Sequence, residues 1–102
     1  MKILIKGAGD LATGIAYEFW LAGHQILMTD IEAPLAVRRT VSFSRAVYEG
    51  EAQVEQAKGV LVRNLEEALR TMQAGGIAVI VDEQAKIREE YRPDILIDSI
   101  MA

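Results

Sequence analysis

"KILIKGAGDLATG", Lys2–Gly14, begins with a run of apolar residues and breaks into glycine. Ile3, Leu4 and Ile5 suit a strand buried on both faces of a parallel sheet. Gly7 and Gly9 follow, one residue apart. Asp10 then stands where a side chain can cap a helix, and Leu11, Ile15 and Phe19 recur at i, i+4 and i+8. A strand that turns through glycines into a helix is the expected opening of a βαβ unit.

The same alternation continues along the chain. Gly23 ends the first helix, and Gln25–Thr29 reads as a second strand. Pro34 fits the first turn of a helix that Leu35–Arg39 continues, and Phe43–Tyr48 reads as a further helical piece closed by Gly50. Gln53–Val62 suggests a small hairpin leading into a third strand at Val60–Val62. Asn64 caps a helix with Leu65, Ala68, Leu69 and Met72 on one face, stopped by Gly75-Gly76. Ile77–Val81 gives a fourth strand, Glu83–Tyr91 a short helix, and Ile95–Ile97 a fifth strand after Pro93. The expected fold is α/β, a three-layer open parallel sheet of Rossmann-like type with strand order 3-2-1-4-5. No repeat or linker divides residues 1–102, so one domain is expected.

Composition narrows the function classes. Of 102 residues, 51% are hydrophobic and 25% charged, which suits a packed core. A net charge of −4 argues against a dedicated nucleic-acid surface. With no cysteine and one histidine, neither a thiolate site nor a multi-histidine metal centre can form. No signal peptide or membrane span is apparent, and a cytoplasmic protein is expected.

The glycine corner reads Gly7-Ala8-Gly9-Asp10-Leu11-Ala12, followed by Thr13-Gly14, and matches G-x-G-x-x-G/A. Gly7 permits a tight turn, Gly9 lets a diphosphate approach the main chain, and Ala12 lets the helix pack close to the sheet. Amides at the helix start then face the anion. Asp30 ends the second strand 21 positions after Gly9, where a carboxylate accepts hydrogen bonds from a ribose and disfavours a 2′-phosphate. Arg38 and Arg39 follow, within reach of a phosphate or as a solvated helix face. Asp10 is unusual beside a diphosphate. A purely structural reading remains open, in which the glycines turn the chain and Asp30 terminates a strand.

Other polar residues also fall at strand ends. Lys6 can neutralise a phosphate. Asp82 and Asp98 follow neighbouring strands in the expected order, which allows a shared divalent cation or, more commonly, two local caps. No catalytic constellation and no metal site is assigned. His24 falls at the opposite sheet edge, and Tyr17, Phe19 and Trp20 read as packing.

Three stretches, "ILIKGAGDLATGIA", "MTDIEAPLAVRRTVSFSRAVYEG" and "RPDILIDSIMA", together resemble the YqeB-type proteins. These are accessory factors of selenium-dependent molybdenum hydroxylases, loosely related to the XdhC/CoxI maturation chaperones. The resemblance implies a Rossmann-like N-terminal part of a longer protein. It implies a role in maturing or supplying a molybdenum cofactor, with a molybdenum hydroxylase as partner. By this likeness Gly7, Gly9, Asp10 and Gly14 line a nucleotide site that Asp30, Arg38 and Arg39 flank.

Three functions are therefore weighed. One is an accessory domain binding NAD or another diphosphate-bearing nucleotide, a molybdopterin dinucleotide included. Another is the NAD-binding part of an oxidoreductase. The third is a nucleotide sensor that forms homodimers. Gly7, Ala8, Gly9, Asp10, Leu11, Ala12, Thr13, Gly14, Asp30, Arg38 and Arg39 are the candidate binding residues, with a small-molecule nucleotide as ligand and no nucleic acid or membrane as partner.

Overall fold

Along strand β1 (Lys2–Lys6) the side chains alternate between two buried faces: Ile3 and Ile5 on one, Leu4 on the other. A computed structural model describes residues 1–31 and 42–99 and shows the elements that cover both faces. They are α1 (Asp10–Leu21), β2 (Gln25–Asp30), α2 (Arg45–Glu49), β3 (Glu51–Val54), β4 (Ala57–Val62), α3 (Leu65–Gln73), β5 (Ile77–Val81), α4 (Arg88–Tyr91) and β6 (Ile95–Asp98). The six strands form one sheet in the order β3-β4-β5-β2-β1-β6. All neighbours pair in parallel except β3 and β4, which form an antiparallel hairpin. The fold is α/β with a mostly parallel, mixed sheet. The expected helix over Pro34 and Leu35–Arg39, and the last residues Ile100–Ala102, lie outside the described residues.

Two apolar layers sandwich the sheet. On one face Ile3, Ile5, Ile26, Met28, Ile77 and Val79 meet Ala8, Ala12 and Ala16 of the α1 region, with Phe43 and Ala46 of the α2 region. On the other, Leu4, Leu27, Ala78 and Ile80 meet Ala68 and Met72 of α3, then Ala85, Ile87 and Tyr91 around α4. The Tyr91 ring is buried, and burial pushes its hydroxyl pKa up to about 12. The connection β1→β2 runs toward β3 across the α1 face. The connections β4→β5 and β5→β6 run back across the opposite face. All three therefore share one hand, as the twist of a parallel sheet requires.

The strand order differs from the expected 3-2-1-4-5. The strand at Ile77–Val81 lies between β4 and β2, and the last strand, not this one, flanks β1. Burial explains the exchange. Ile77, Ala78, Val79 and Ile80 are all buried, so β5 needs cover on both faces and occupies the interior. In β6 burial alternates and Leu96 is half exposed, the pattern of an edge strand. As a result Asp82 and Asp98 do not follow neighbouring strands, because β2 and β1 stand between β5 and β6.

Helix α1 also sits in a different phase from its large apolar residues. Leu11 is 58% exposed, whereas Ala12, Thr13 and Ala16 are buried. Small side chains on the inner face let the helix lie close against β1 and β2, while Ile15 and Phe19 pack only at its margin. Helix α3 buries Ala68 and Met72 of its expected apolar face, whereas Leu65 is partly buried and Leu69 exposed, and Asn64 Oδ1 accepts the Glu67 N–H at 2.9 Å. Among the described residues no helix is long and apolar enough to cross a membrane.

One close approach crosses the first layer. Phe43 is fully buried, and its Cδ1 lies 2.6 Å from where a Cβ on Gly59 of β4 would stand. Gly59→Ala should therefore destabilise the protein by about 1–3 kcal/mol through overpacking. Urea unfolding measures this, and adding Phe43→Leu should recover part of the loss because the two sites touch. An unchanged midpoint for Gly59→Ala would contradict this packing.

Candidate functional site

The glycine corner begins where β1 leaves the sheet. Lys6 pairs with Thr29, and the next amide, Gly7 N–H, donates to the Thr29 carbonyl at 2.7 Å. Gly7 has φ 114°, a conformation side-chain-bearing residues rarely adopt, which accounts for glycine at this turn. On the other flank, the amide and hydroxyl of Ser99 both donate to the Lys6 carbonyl, at 3.1 and 2.9 Å. The end of β1 is thus held from both neighbouring strands.

Ala8 is buried, and its carbonyl is the hub of the corner. It accepts the Ser42 hydroxyl at 2.7 Å, the Ser44 amide at 2.9 Å and the Thr13 hydroxyl at 3.2 Å. Thr13 Oγ1 in turn accepts the Phe43 N–H at 2.9 Å. Ser42, Ser44 and Thr13 are all buried. Because a trans peptide directs its C=O and N–H to opposite sides, the Gly9 N–H points away from this cluster. Ala8, Ala12 and Thr13 thus shape the corner from beneath, while Asp10, Leu11 and Gly14 lie exposed on its outer side.

The start of α1 carries no side-chain cap. Its N-cap is Gly9, so Asp10 is not the cap that the sequence suggested but the first helical residue, an acidic group in the first turn. Helix α3 makes the contrast: Asn64 closes its first turn, and Glu67 reaches back to the Arg63 N–H at 2.8 Å. The first amides of any helix lack intrahelical acceptors, and the N-cap residue of α1, a glycine, offers no side chain to accept from them.

Asp30 ends β2 beside this turn. One carboxylate oxygen accepts the Ile31 N–H at 2.8 Å and the other the Ser44 hydroxyl at 2.7 Å. Burial raises its pKa above the usual carboxylate value, against the opposing pull of these two hydrogen bonds. The Asp30 carbonyl accepts the Asp82 N–H at 2.9 Å, tying the ends of β2 and β5. The chain leaves β2 for the α2 face and leaves β5 for the α4 face, so this is a switch point of the sheet, where open α/β folds form crevices.

The remaining sequence candidates separate from this corner. Asp82 Oδ2 accepts the Ile87 N–H at 2.8 Å, the local capping role. Among the described residues no group of three or more histidine, aspartate or glutamate side chains gathers to hold a metal. His24 lies at the far edge, where its Nδ1 is 3.0 Å from the N-terminal amine, and Trp20 Nε1 donates to the Gly75 carbonyl at 2.9 Å. A hollow of about 370 Å³ beyond β4 and β5 mixes Arg63 and Lys86 with Asp82, Glu89 and Glu90 and shares no residue with the glycine corner. Arg38 and Arg39 lie outside the described residues. Ser42 and Ser44 were absent from the sequence reading. Their only signal there was two serines around Phe43, and a 34-residue separation from Ala8 hides the contact.

Fold and corner together define an α/β domain whose first strand turns through glycine into a helix with a glycine N-cap, beside an acidic strand end. The chain is 36% identical over 100 residues to the uncharacterized protein YqeB of Escherichia coli (strain K12), a match covering 98% of this chain. The chain spans 18% of that relative's length. No family profile and no solved structure matches it.

Asp30 gives a test that needs no ligand. A carboxyl whose folded pKa exceeds its unfolded value contributes most to stability below the unfolded value, near 3.8, and loses that contribution as pH rises through the folded one. Ionised Asp30 therefore counts against stability at neutral pH. Asp30→Asn should be as stable as the wild type or more so at pH 7, and its relative advantage should shrink toward pH 3. Thermal unfolding across that range checks the sign, and an advantage that grows on acidification would contradict it.

Proposed function

We propose that this domain binds a nucleotide through its diphosphate, with the phosphates on the first turn of α1 and a ribose on Asp30. The observation that carries the reading is the pairing of a glycine N-cap, Gly9, with a half-buried carboxylate on the adjacent strand. Holding a carboxylate above its ordinary pKa is unfavourable at neutral pH, and such groups concentrate at functional sites. Gly7, Gly9, Ala12 and Asp30 fit the roles of the β1–α1–β2 half of a Rossmann-like fold. In that reading Asp30 favours NAD(H) over NADP(H), because a 2′-phosphate would meet a carboxylate.

The pathway in this proposal rests on the resemblance to YqeB-type proteins. We read the domain as an accessory, nucleotide-binding part of a longer protein that matures molybdenum-cofactor hydroxylases, with such a hydroxylase as partner. A molybdopterin dinucleotide carries both a diphosphate and a ribose, so it meets the same two groups as NAD. A second reading, the NAD-binding part of an oxidoreductase, draws on Asp30 equally and needs catalytic groups from elsewhere in a longer protein.

Calorimetry with NAD(H), NADP(H), ATP, CTP and a molybdopterin dinucleotide tests the proposal. The expected result is binding of a diphosphate-bearing nucleotide, weakened at least about tenfold, roughly 1.4 kcal/mol, in Gly9→Val. A branched side chain there occupies the space the phosphate needs. Equal affinity in Gly9→Val, or no binding by the wild type, contradicts the site. Hydride transfer from NADH by a longer protein containing this domain would favour the oxidoreductase reading.

A further inference from the structure

Ser44 belongs to neither the glycine motif nor the strand ends, yet it touches both halves of the corner. It is 1% exposed and immediately precedes α2. Its amide donates to the Ala8 carbonyl at 2.9 Å and to Ser42 Oγ at 3.1 Å. Its hydroxyl donates to Asp30 Oδ2 at 2.7 Å. One residue therefore fixes the peptide that turns into α1 and the carboxylate that ends β2.

We propose that Ser44 is a positioning residue that couples the two halves of the nucleotide site, setting the orientation of the Asp30 carboxylate relative to the turn at Ala8–Gly9. This rests on the nucleotide reading above. A carboxylate offers about four lone-pair directions. The Ile31 amide and the Ser44 hydroxyl occupy one on each oxygen, which stops rotation about the Cβ–Cγ bond. The remaining directions are held for the two hydroxyls of a ribose. Without the Ser44 hydroxyl the carboxylate keeps, among the described residues, the Ile31 amide as its anchor, while the Ser44 amide still holds Ala8. The loss therefore falls on the ribose half alone.

Among the described residues, other charged groups lie along this edge. Arg45 of α2 pairs with Glu49 at 2.6 Å, and the Asp82 carboxylate accepts the Ile87 amide. Lys6 lies on the adjacent strand, paired with Thr29 in register. None of the three replaces the Ser44 hydroxyl at Asp30 Oδ2.

Two measurements test this. In ligand-free protein, carbon NMR follows the titration of the Asp30 carboxyl. The Ser44 hydrogen bond lowers its pKa, so Ser44→Ala should raise the midpoint. Ser42→Ala, which removes a hydroxyl from Ala8 but not from Asp30, should leave it in place. An unchanged midpoint in Ser44→Ala, or an equal rise in Ser42→Ala, overturns the proposal.

Calorimetry then compares NAD with inorganic pyrophosphate. Ser44→Ala should weaken NAD about tenfold and leave pyrophosphate unchanged. Equal weakening of both, or no weakening of NAD, overturns the proposal while leaving the nucleotide reading intact. Wild-type protein that binds neither overturns both.

Discussion

A single main-chain oxygen organises the region where β1 becomes α1. The Ala8 carbonyl gathers the hydroxyls of Thr13 and Ser42 and the amide of Ser44. A buried carbonyl left unpaired at a strand-to-helix turn would carry a desolvation cost of about 1–3 kcal/mol. Here the pairing also does geometric work. It faces the peptide inward, draws residues 42–44 against the corner, and brings Phe43 over β4 at Gly59. The α2 layer, the Asp30 carboxylate and the outward side of the glycine turn all take their positions from that contact.

The site combines two electrostatic choices that a purely structural turn does not need. Helix α3 closes its first turn with Asn64 and Glu67, whereas α1 begins at a glycine. Asp30 is held where burial opposes its charge, and its hydrogen-bond partners only partly offset that. Both choices are understandable if an anion and a pair of hydroxyls dock at this edge. The relative YqeB of Escherichia coli is longer, and this chain spans 18% of its length.

Much of the fold could be read from local pattern. The apolar runs at Ile3–Ile5, Ile26–Met28 and Ile77–Ile80, the Asn64 cap and the hairpin before Val62 all announce themselves over a few residues. Strand order did not, because it depends on which strand is covered on both faces. "IAVIV" and "ILID" look alike until helices lie over one and leave the other half open. The phase of α1 was also hidden: Ala12 and Ala16 are inconspicuous beside Leu11 and Phe19, yet close packing selects the small residues. The glycines and Asp30 carry a known spacing and could be found. Ser42 and Ser44 act through contacts spanning 34 and 14 positions, which no local pattern encodes.

The proposed site depends on the main-chain amides of Gly9 to Ala12 receiving a diphosphate, the Thr13 N–H already donating to the Gly9 carbonyl at 2.8 Å. Amide NMR of the protein titrated with inorganic pyrophosphate and with NAD observes those groups directly. Saturable shifts centred on Gly9 to Ala12 are expected with both ligands, extending to Asp30 and Ile31 with NAD alone. Shifts confined to the far edge around His24 and Gly75, or none at the turn at saturating ligand, would contradict the proposed site.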